Sequence, residues 1–337
     1  MTGSSPEASP GPLFVVGAPR TGTTLMMQIL NRHPRIYLYD EIHYFELIWD
    51  DRESIGDVDS PQVRPRVYER VREMLRHVGS HREIADALPD EELARHASAA
   101  GGGYRGLLTS ILRAGADHHG ADVAGDSSPQ DVLYIDQILE WYPQARIIGL
   151  VRDPRGFLSS YKNYHRRGVA TYRERYNPLT NSMLWRSYMR ALQAGARKHP
   201  DSVAVIRYED LVDDPPTHLK RLCAHIGVPF DGEMLNVSAS NTSFGNEETE
   251  VRGIVASSRD RWRTELTPTE IWLGERIFGR EMQALGYDPA GTGGPSPWEL
   301  LKVGAQLPRR AFNLLFRTGK PLTWAKLRRV LGSFRSG

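Results

Sequence analysis

Short apolar runs bounded by turn residues recur along the chain. Residues 13–16 (Leu-Phe-Val-Val), Arg146–Val151 (Arg-Ile-Ile-Gly-Leu-Val) and Val203–Arg207 (Val-Ala-Val-Ile-Arg) have no polar alternation, as expected of strands buried on both faces. A weaker fourth run, 122–125, precedes Asp126-Ser127-Ser128-Pro129. Between the runs lie helical patterns over 129–142, 154–165, 182–199 and 216–226. Strands alternating with helices predict a parallel sheet with helices on both faces, an α/β three-layer fold. Residues 62–118 are helical in pattern and rich in charge, which predicts a helical insertion after the first βα unit, broken by Ala100-Gly101-Gly102-Gly103. The segment Thr267-Pro268-Thr269-Glu270 opens one more helix, reaching Leu285, with Thr267 as N-cap, Pro268 first and Glu270 at N3.

Composition narrows the class. The chain has 337 residues, 25% charged and 40% hydrophobic, with one cysteine, Cys223. These are the proportions of an ordinary globular protein. A single thiol excludes an intrachain disulfide and a multi-thiolate metal site, and fits a reducing, cytoplasmic compartment. Cys223 itself is expected in the core. The first dozen residues lack a basic n-region and an apolar h-region and read as a flexible tail. The net charge of +2 is unevenly spread. From Glu299 onward there are nine Lys/Arg and one acid, leaving 34 basic and 40 acidic residues in 1–298. A mildly acidic body gives no support to nucleic-acid binding.

Candidate chemistry starts at residues 17–24, Gly-Ala-Pro-Arg-Thr-Gly-Thr-Thr. A strand, a glycine-bounded loop and a helix in that order offer backbone N–H groups to an anion. The spacing is that of a phosphate-binding loop, but Thr23 stands where a nucleotidase carries lysine, and Arg20 is the loop's only cation. The loop is suited to a phosphate rather than to hydrolysis of a triphosphate. The strand at 146–151 ends in Arg152, where such nucleotidases place a Mg²⁺-holding aspartate. An arginine at that carboxyl edge faces the crevice where parallel sheets bind ligands. Ser160 lies two turns along the helix that Asp153-Pro154 starts. Two anion sites without a metal ligand suggest a nucleotide carrying phosphates at both ends.

These residues resemble the sulfotransferases that use 3′-phosphoadenosine 5′-phosphosulfate (PAPS). Pro19-Arg20-Thr21-Gly22-Thr23-Thr24 matches that family's 5′-phosphosulfate loop. Arg152-Asp153-Pro154 with Ser160 matches its 3′-phosphate motif. The stretch 208–215 resembles the helix start after the family's next strand, and 253–262 resembles its cofactor-covering loop. The resemblance spans about residues 13–287 and implies a P-loop-like fold, PAPS as sulfuryl donor and no metal. It implies that Arg20, Thr21, Gly22, Thr23 and Thr24 hold the 5′ end and that Arg152 and Ser160 hold the 3′-phosphate. Tyr208 touches the nucleotide or is simply a buried aromatic. Ser243, Arg252, Ser258 and Arg261 are further candidates for the 3′-phosphate or adenine side, while Trp262 reads as packing.

In-line sulfuryl transfer also needs a group to take the acceptor's proton. Asp40-Glu41-Ile42-His43-Tyr44-Phe45 is similar to the Glu-Val-His-Phe-Phe of heparan-sulfate-type sulfotransferases, which maps the base onto Glu41. His43 is the competitor for that role. Many relatives carry a lysine where this chain has Ser127, leaving Arg20 as main cation at the sulfuryl group. The acceptor is a molecule with a free hydroxyl: a carbohydrate, glycolipid or small metabolite. Two rivals stand beside this reading: a P-loop kinase for a small metabolite, and a degenerate nucleotide-binding module.

The expected layout is a tail (1–12), a catalytic domain (13–287), a Gly/Pro-rich linker (288–297) and a basic amphipathic helical tail (298–337). In the last, Trp324, Leu327, Val330, Leu331 and Phe334 share one helical face, with Lys326, Arg328, Arg329 and Arg335 elsewhere. That pattern suits peripheral contact with the inner face of an anionic membrane. It equally suits docking on the acidic body or contacts within a homo-oligomer.

Overall fold

The computed structural model of the chain describes residues 11–77, 81–163, 176–237 and 259–308. Residues 1–10, Ser243, Arg252, Ser258 and 309–337 lie outside that set, as does 164–175. Strand β1 (Leu13–Gly17) runs into α1 (Thr23–Leu30), and β2 (Ile36–Asp40) follows. A π-helical turn (Phe45–Trp49) leads to α2 (Arg52–Ile55), α3 (Arg64–His77), α4 (Arg82–Ala87), α5 (Asp90–Ala99) and α6 (Gly103–His119). The chain re-enters the sheet as β3 (Val123–Ser127). A 3-10 turn (Pro129–Tyr134) and α7 (Ile135–Trp141) connect it to β4 (Arg146–Val151). Then come α8 (Pro154–Asn163), α9 (Pro178–Lys198), β5 (Val203–Arg207), α10 (Tyr208–Asp213) and α11 (Pro215–Ile226). The last described elements are α12 (Trp262–Glu265), α13 (Pro268–Ala284) and α14 (Pro297–Ala305).

The five strands form one parallel sheet in the order β2-β3-β1-β4-β5. This is the expected three-layer α/β architecture. All of β1 is buried, and so is β4 after its first residue, because helices cover both faces. Phe14, Val16, Tyr39, Ile147 and Val151 point to one core with Trp185 and Leu192 of α9. Leu13, Val15, Leu38, Ile148 and Leu150 point to the other, with Met26 and Ile29 of α1 and Leu222 of α11. Cys223 is buried in that second core, as its apolar neighbours in sequence suggest. The capping box at Thr267 forms as expected: its hydroxyl accepts from Glu270 N at 3.3 Å, and Glu270 accepts from Thr267 N at 2.8 Å.

The apolar runs did not mark β2. Its Ile-Tyr-Leu-Tyr sequence follows His33-Pro34-Arg35, and the tyrosines reach full burial only because α6 packs over them. Tyr39 donates to the carbonyl of Ile111 on α6 at 2.9 Å. The helical insertion therefore leaves the sheet after β2 rather than directly after α1. Strand β2 is an edge, and side chains occupy its outward backbone groups. Asn31 bonds both the N–H and the C=O of Leu38 (2.7 and 2.9 Å), and the His81 imidazole takes the N–H of Asp40 at 2.9 Å.

Candidate active site

At the carboxyl edge of β1 the loop turns sharply. A side chain at Gly17 would put its Cβ 2.6 Å from the Leu150 carbonyl, so only glycine lets β1 and β4 lie this close there. Both the N–H and the hydroxyl of Thr21 donate to the Ala18 carbonyl (3.2 and 2.7 Å). Arg20 (φ 73°) and Gly22 (φ 105°) are left-handed, a costly conformation for arginine that functional loops tend to store. Gly22 is the N-cap of α1 and gives it no side-chain acceptor. The first amides of an α-helix have no intrahelical partner, so this end has donors to offer. Thr23 is buried and Thr24 half-buried in the first turn.

Several candidates from distant parts of the chain meet here. Arg20 Nε donates to Ser160 Oγ at 3.2 Å, and Arg152 Nη1 donates to the Arg20 carbonyl at 3.3 Å. The Arg152 guanidinium sits 4.7 Å from the centre of the Tyr208 ring. The same ring abuts Gly22, where an added Cβ would come within 2.7 Å of Tyr208 Cδ2. Gly22, Arg20, Arg152, Ser160 and Tyr208 thus form one contiguous wall.

Behind the wall is a polar frame the sequence did not disclose. Arg155 grips Asp153 with two bonds (2.9 and 2.7 Å), reaches Glu275 at 3.1 Å and lies 4.1 Å over the Trp262 ring. Glu209 accepts from Asp153 N at 3.0 Å and from the Tyr287 hydroxyl at 2.6 Å. Asp153 in the Arg-Asp-Pro motif is therefore a structural tie that orients the start of α8. Trp262 is buried packing, as expected, and Arg261 immediately precedes α12, which packs on α8.

A second cluster forms just beyond β2. Glu41 (φ 50°) and His43 (φ 52°) are both left-handed. Strand β3 and its continuation hold this bend: Ile42 N donates to Asp126 Oδ1 at 3.3 Å and His43 N to Ser128 Oγ at 2.9 Å. The imidazole lies between two carboxylates, with Nε2 3.4 Å from Glu41 and Nδ1 3.2 Å from Glu46. Burial alone would lower the pKa of His43, but the two carboxylates outweigh it and raise the value to about 10. At neutral pH the ring is an imidazolium. Sequence reasoning missed Glu46; its i, i+3 spacing from His43 was the available signal.

Two more carboxyls lie beneath. Burial pushes Asp126 up to about 6, and burial together with Asp126 pushes Asp131 well above its ordinary range. Ser127 is buried between the clusters, and its hydroxyl donates to the Thr23 carbonyl at 3.4 Å. It ties β3 to the start of α1.

The sign of the His43 shift makes a prediction. A raised histidine pKa gives stability that is full below the unfolded value and lost as pH rises through the folded one. With values of 6.5 and about 10, the thermal midpoint of the wild type should fall faster between about pH 7 and pH 10 than that of His43→Asn. Parallel curves would show that the ring is neutral in the folded chain.

Comparison with known proteins agrees with this fold. Nodulation protein NoeE of Sinorhizobium fredii is 26% identical over 315 residues, covering 84% of this chain and 68% of that protein. Protein-tyrosine sulfotransferase 1 of Danio rerio is 21% identical over 296 residues, covering 82% and 72%. Among solved structures, the sulfotransferase domain from the curacin biosynthetic pathway superimposes with a TM-score of 0.52 at 19% identity, over 83% of this chain and 98% of that one. The sulfotransferase domain of the Synechococcus olefin synthase gives 0.51 at 21%, over 86% and 99%. At such identities these two speak for the fold. The model of the sulfotransferase family matches residues 12–232, about two thirds of the sequence, and the chain belongs to that family.

Proposed function

We propose that this chain transfers a sulfuryl group from PAPS to a hydroxyl of an acceptor, releasing 3′,5′-ADP. The observation that carries the reading is the joined wall of Arg20, Ser160 and Arg152. It links the helix N-terminus after β1 to the end of β4, so two anionic groups of one nucleotide can be held at a fixed separation. The donor set fits such a ligand: amides and Arg20 at one end, a guanidinium and a hydroxyl at the other. PAPS supplies the sulfuryl group when bound. Arg20 and the α1 amides stabilise the charge that develops on the transferring oxygens. Glu41 accepts the proton of the acceptor hydroxyl as the new O–S bond forms and the bond to the 5′-phosphate breaks. His43, as an imidazolium fixed by Glu46, keeps the Glu41 carboxylate oriented. Relatives named for protein-tyrosine and carbohydrate sulfotransfer share a hydroxyl acceptor and nothing narrower, and that is the class assigned here.

Thermal shift separates this reading from a kinase. A ligand that binds only the folded state stabilises it by RT ln(1 + [L]/Kd), about 2.7 kcal/mol at a hundred times Kd. The expected result is a shift with 3′,5′-ADP, a smaller one with AMP and none with Mg-ATP at equal concentration. A shift with Mg-ATP and none with 3′,5′-ADP would overturn the assignment. A shift with 3′,5′-ADP but no transfer to any hydroxyl in an acceptor screen with PAPS would make the chain a binding module.

A further inference from the structure

Helix α14 is held to the body by polar contacts. Thr267 on the α13 cap donates to Glu299 at 2.9 Å, and fully buried Asn177 at the start of α9 donates to the Val303 carbonyl and to Gln306, both at 3.1 Å. These contacts fix which side faces the body. The opposite side is apolar: Trp298 is 64% and Leu301 65% exposed, and Ala305 continues the same face one turn on. Among the described residues these are the two most exposed large hydrophobic side chains. Pro297, Leu300, Leu301, Gly304 and Ala305 line a shallow apolar groove there. A surface helix ordinarily buries this side and shows the other.

The charge around the face indicates what covers it. Lys302 stands 5.5 Å from the Trp298 ring. From residue 299 to the end the sequence has nine Lys/Arg and a single acid, and that acid, Glu299, is the one engaged by Thr267. A surface that is apolar beneath and anionic above satisfies both features at once, and tryptophan favours that boundary.

We propose that the outer face of α14 docks on a bilayer of anionic lipids, with Trp298 and Leu301 entering the headgroup boundary and Lys302 beside them meeting the lipid charge. This goes beyond the assignment of sulfuryl transfer, and its test does not depend on activity. The full chain is sedimented with vesicles of phosphatidylglycerol and phosphatidylcholine in equal parts, and with phosphatidylcholine alone. Partition into the anionic vesicles should exceed the neutral by about tenfold or more and weaken when salt is raised from about 0.1 to 0.5 M. The double variant Trp298→Glu, Leu301→Glu should lose about tenfold in partition with an unchanged thermal midpoint, since both side chains are exposed. Equal partition into both vesicle types overturns the proposal. So does wild-type partition in the double variant, which would mean that the cations act without this face. A wild-type dimer that the double variant converts to a monomer would assign the face to a second copy and overturn it too.

Discussion

Glu41→Gln is expected to lower kcat by roughly 10²–10⁴-fold, the usual worth of a positioned general base, while the affinity for 3′,5′-ADP stays as it was. The substitution keeps the shape of the side chain and removes only its capacity to take a proton. The left-handed backbone at 41 is set by the Ile42 and His43 amide bonds to Asp126 and Ser128, which the substitution leaves in place. Initial rates on an acceptor found by screening, with calorimetry for 3′,5′-ADP, would check both halves. An unchanged kcat removes Glu41 from the base role and shifts attention to His43. A second readout guards against misassignment: His43→Ala should lower kcat with little change in KM for PAPS, because His43 acts through Glu41.

Arg152→Ala should weaken 3′,5′-ADP by about 10- to 100-fold, the range for losing a hydrogen-bonded charge at about 1.5–3 kcal/mol. AMP, which lacks the 3′-phosphate, should lose far less. The comparison is needed because Arg152 also donates to the Arg20 carbonyl and lies over Tyr208, so its removal could loosen the whole wall. An equal loss for both nucleotides would make Arg152 a support of the loop rather than a ligand of the phosphate. Lysine is expected to restore only part of the affinity, since an ammonium cannot reproduce the planar fork of the guanidinium.

Much of the wall could be read from the sequence because its signals are local. A glycine-bounded turn after an apolar run fixes where Arg20 and Thr23 fall, and a strand end followed by Asp-Pro fixes Arg152. Ser160 follows from helical spacing. The frame behind was not legible. Glu209 meets Asp153 across 56 residues of chain, Glu275 meets Arg155 across 120 and Tyr287 meets Glu209 across 78, and no period announces such meetings. Strand β2 escaped notice because its tyrosines look amphipathic until α6 covers them. Ser127 looked like a gap in the chemistry; the fold uses its hydroxyl to hold α1 against β3. The i, i+3 spacing of Glu46 from His43 was legible, but the left-handed turn at His43 that sets the pair beside Glu41 was not.

The side chains lining the outer edge of β2 bear on how copies of the chain behave toward one another. An open edge invites another strand to add to the sheet, the first step of uncontrolled polymerisation. Asn31 answers both backbone groups of Leu38 as a neighbouring strand would, and His81 answers Asp40. The insertion that shapes the region after Glu41 therefore also closes this edge, through His81 at the start of α4. Lengthening or exchanging that insertion to change acceptor would have to preserve this seal, or the gain in specificity would come with a loss of solubility.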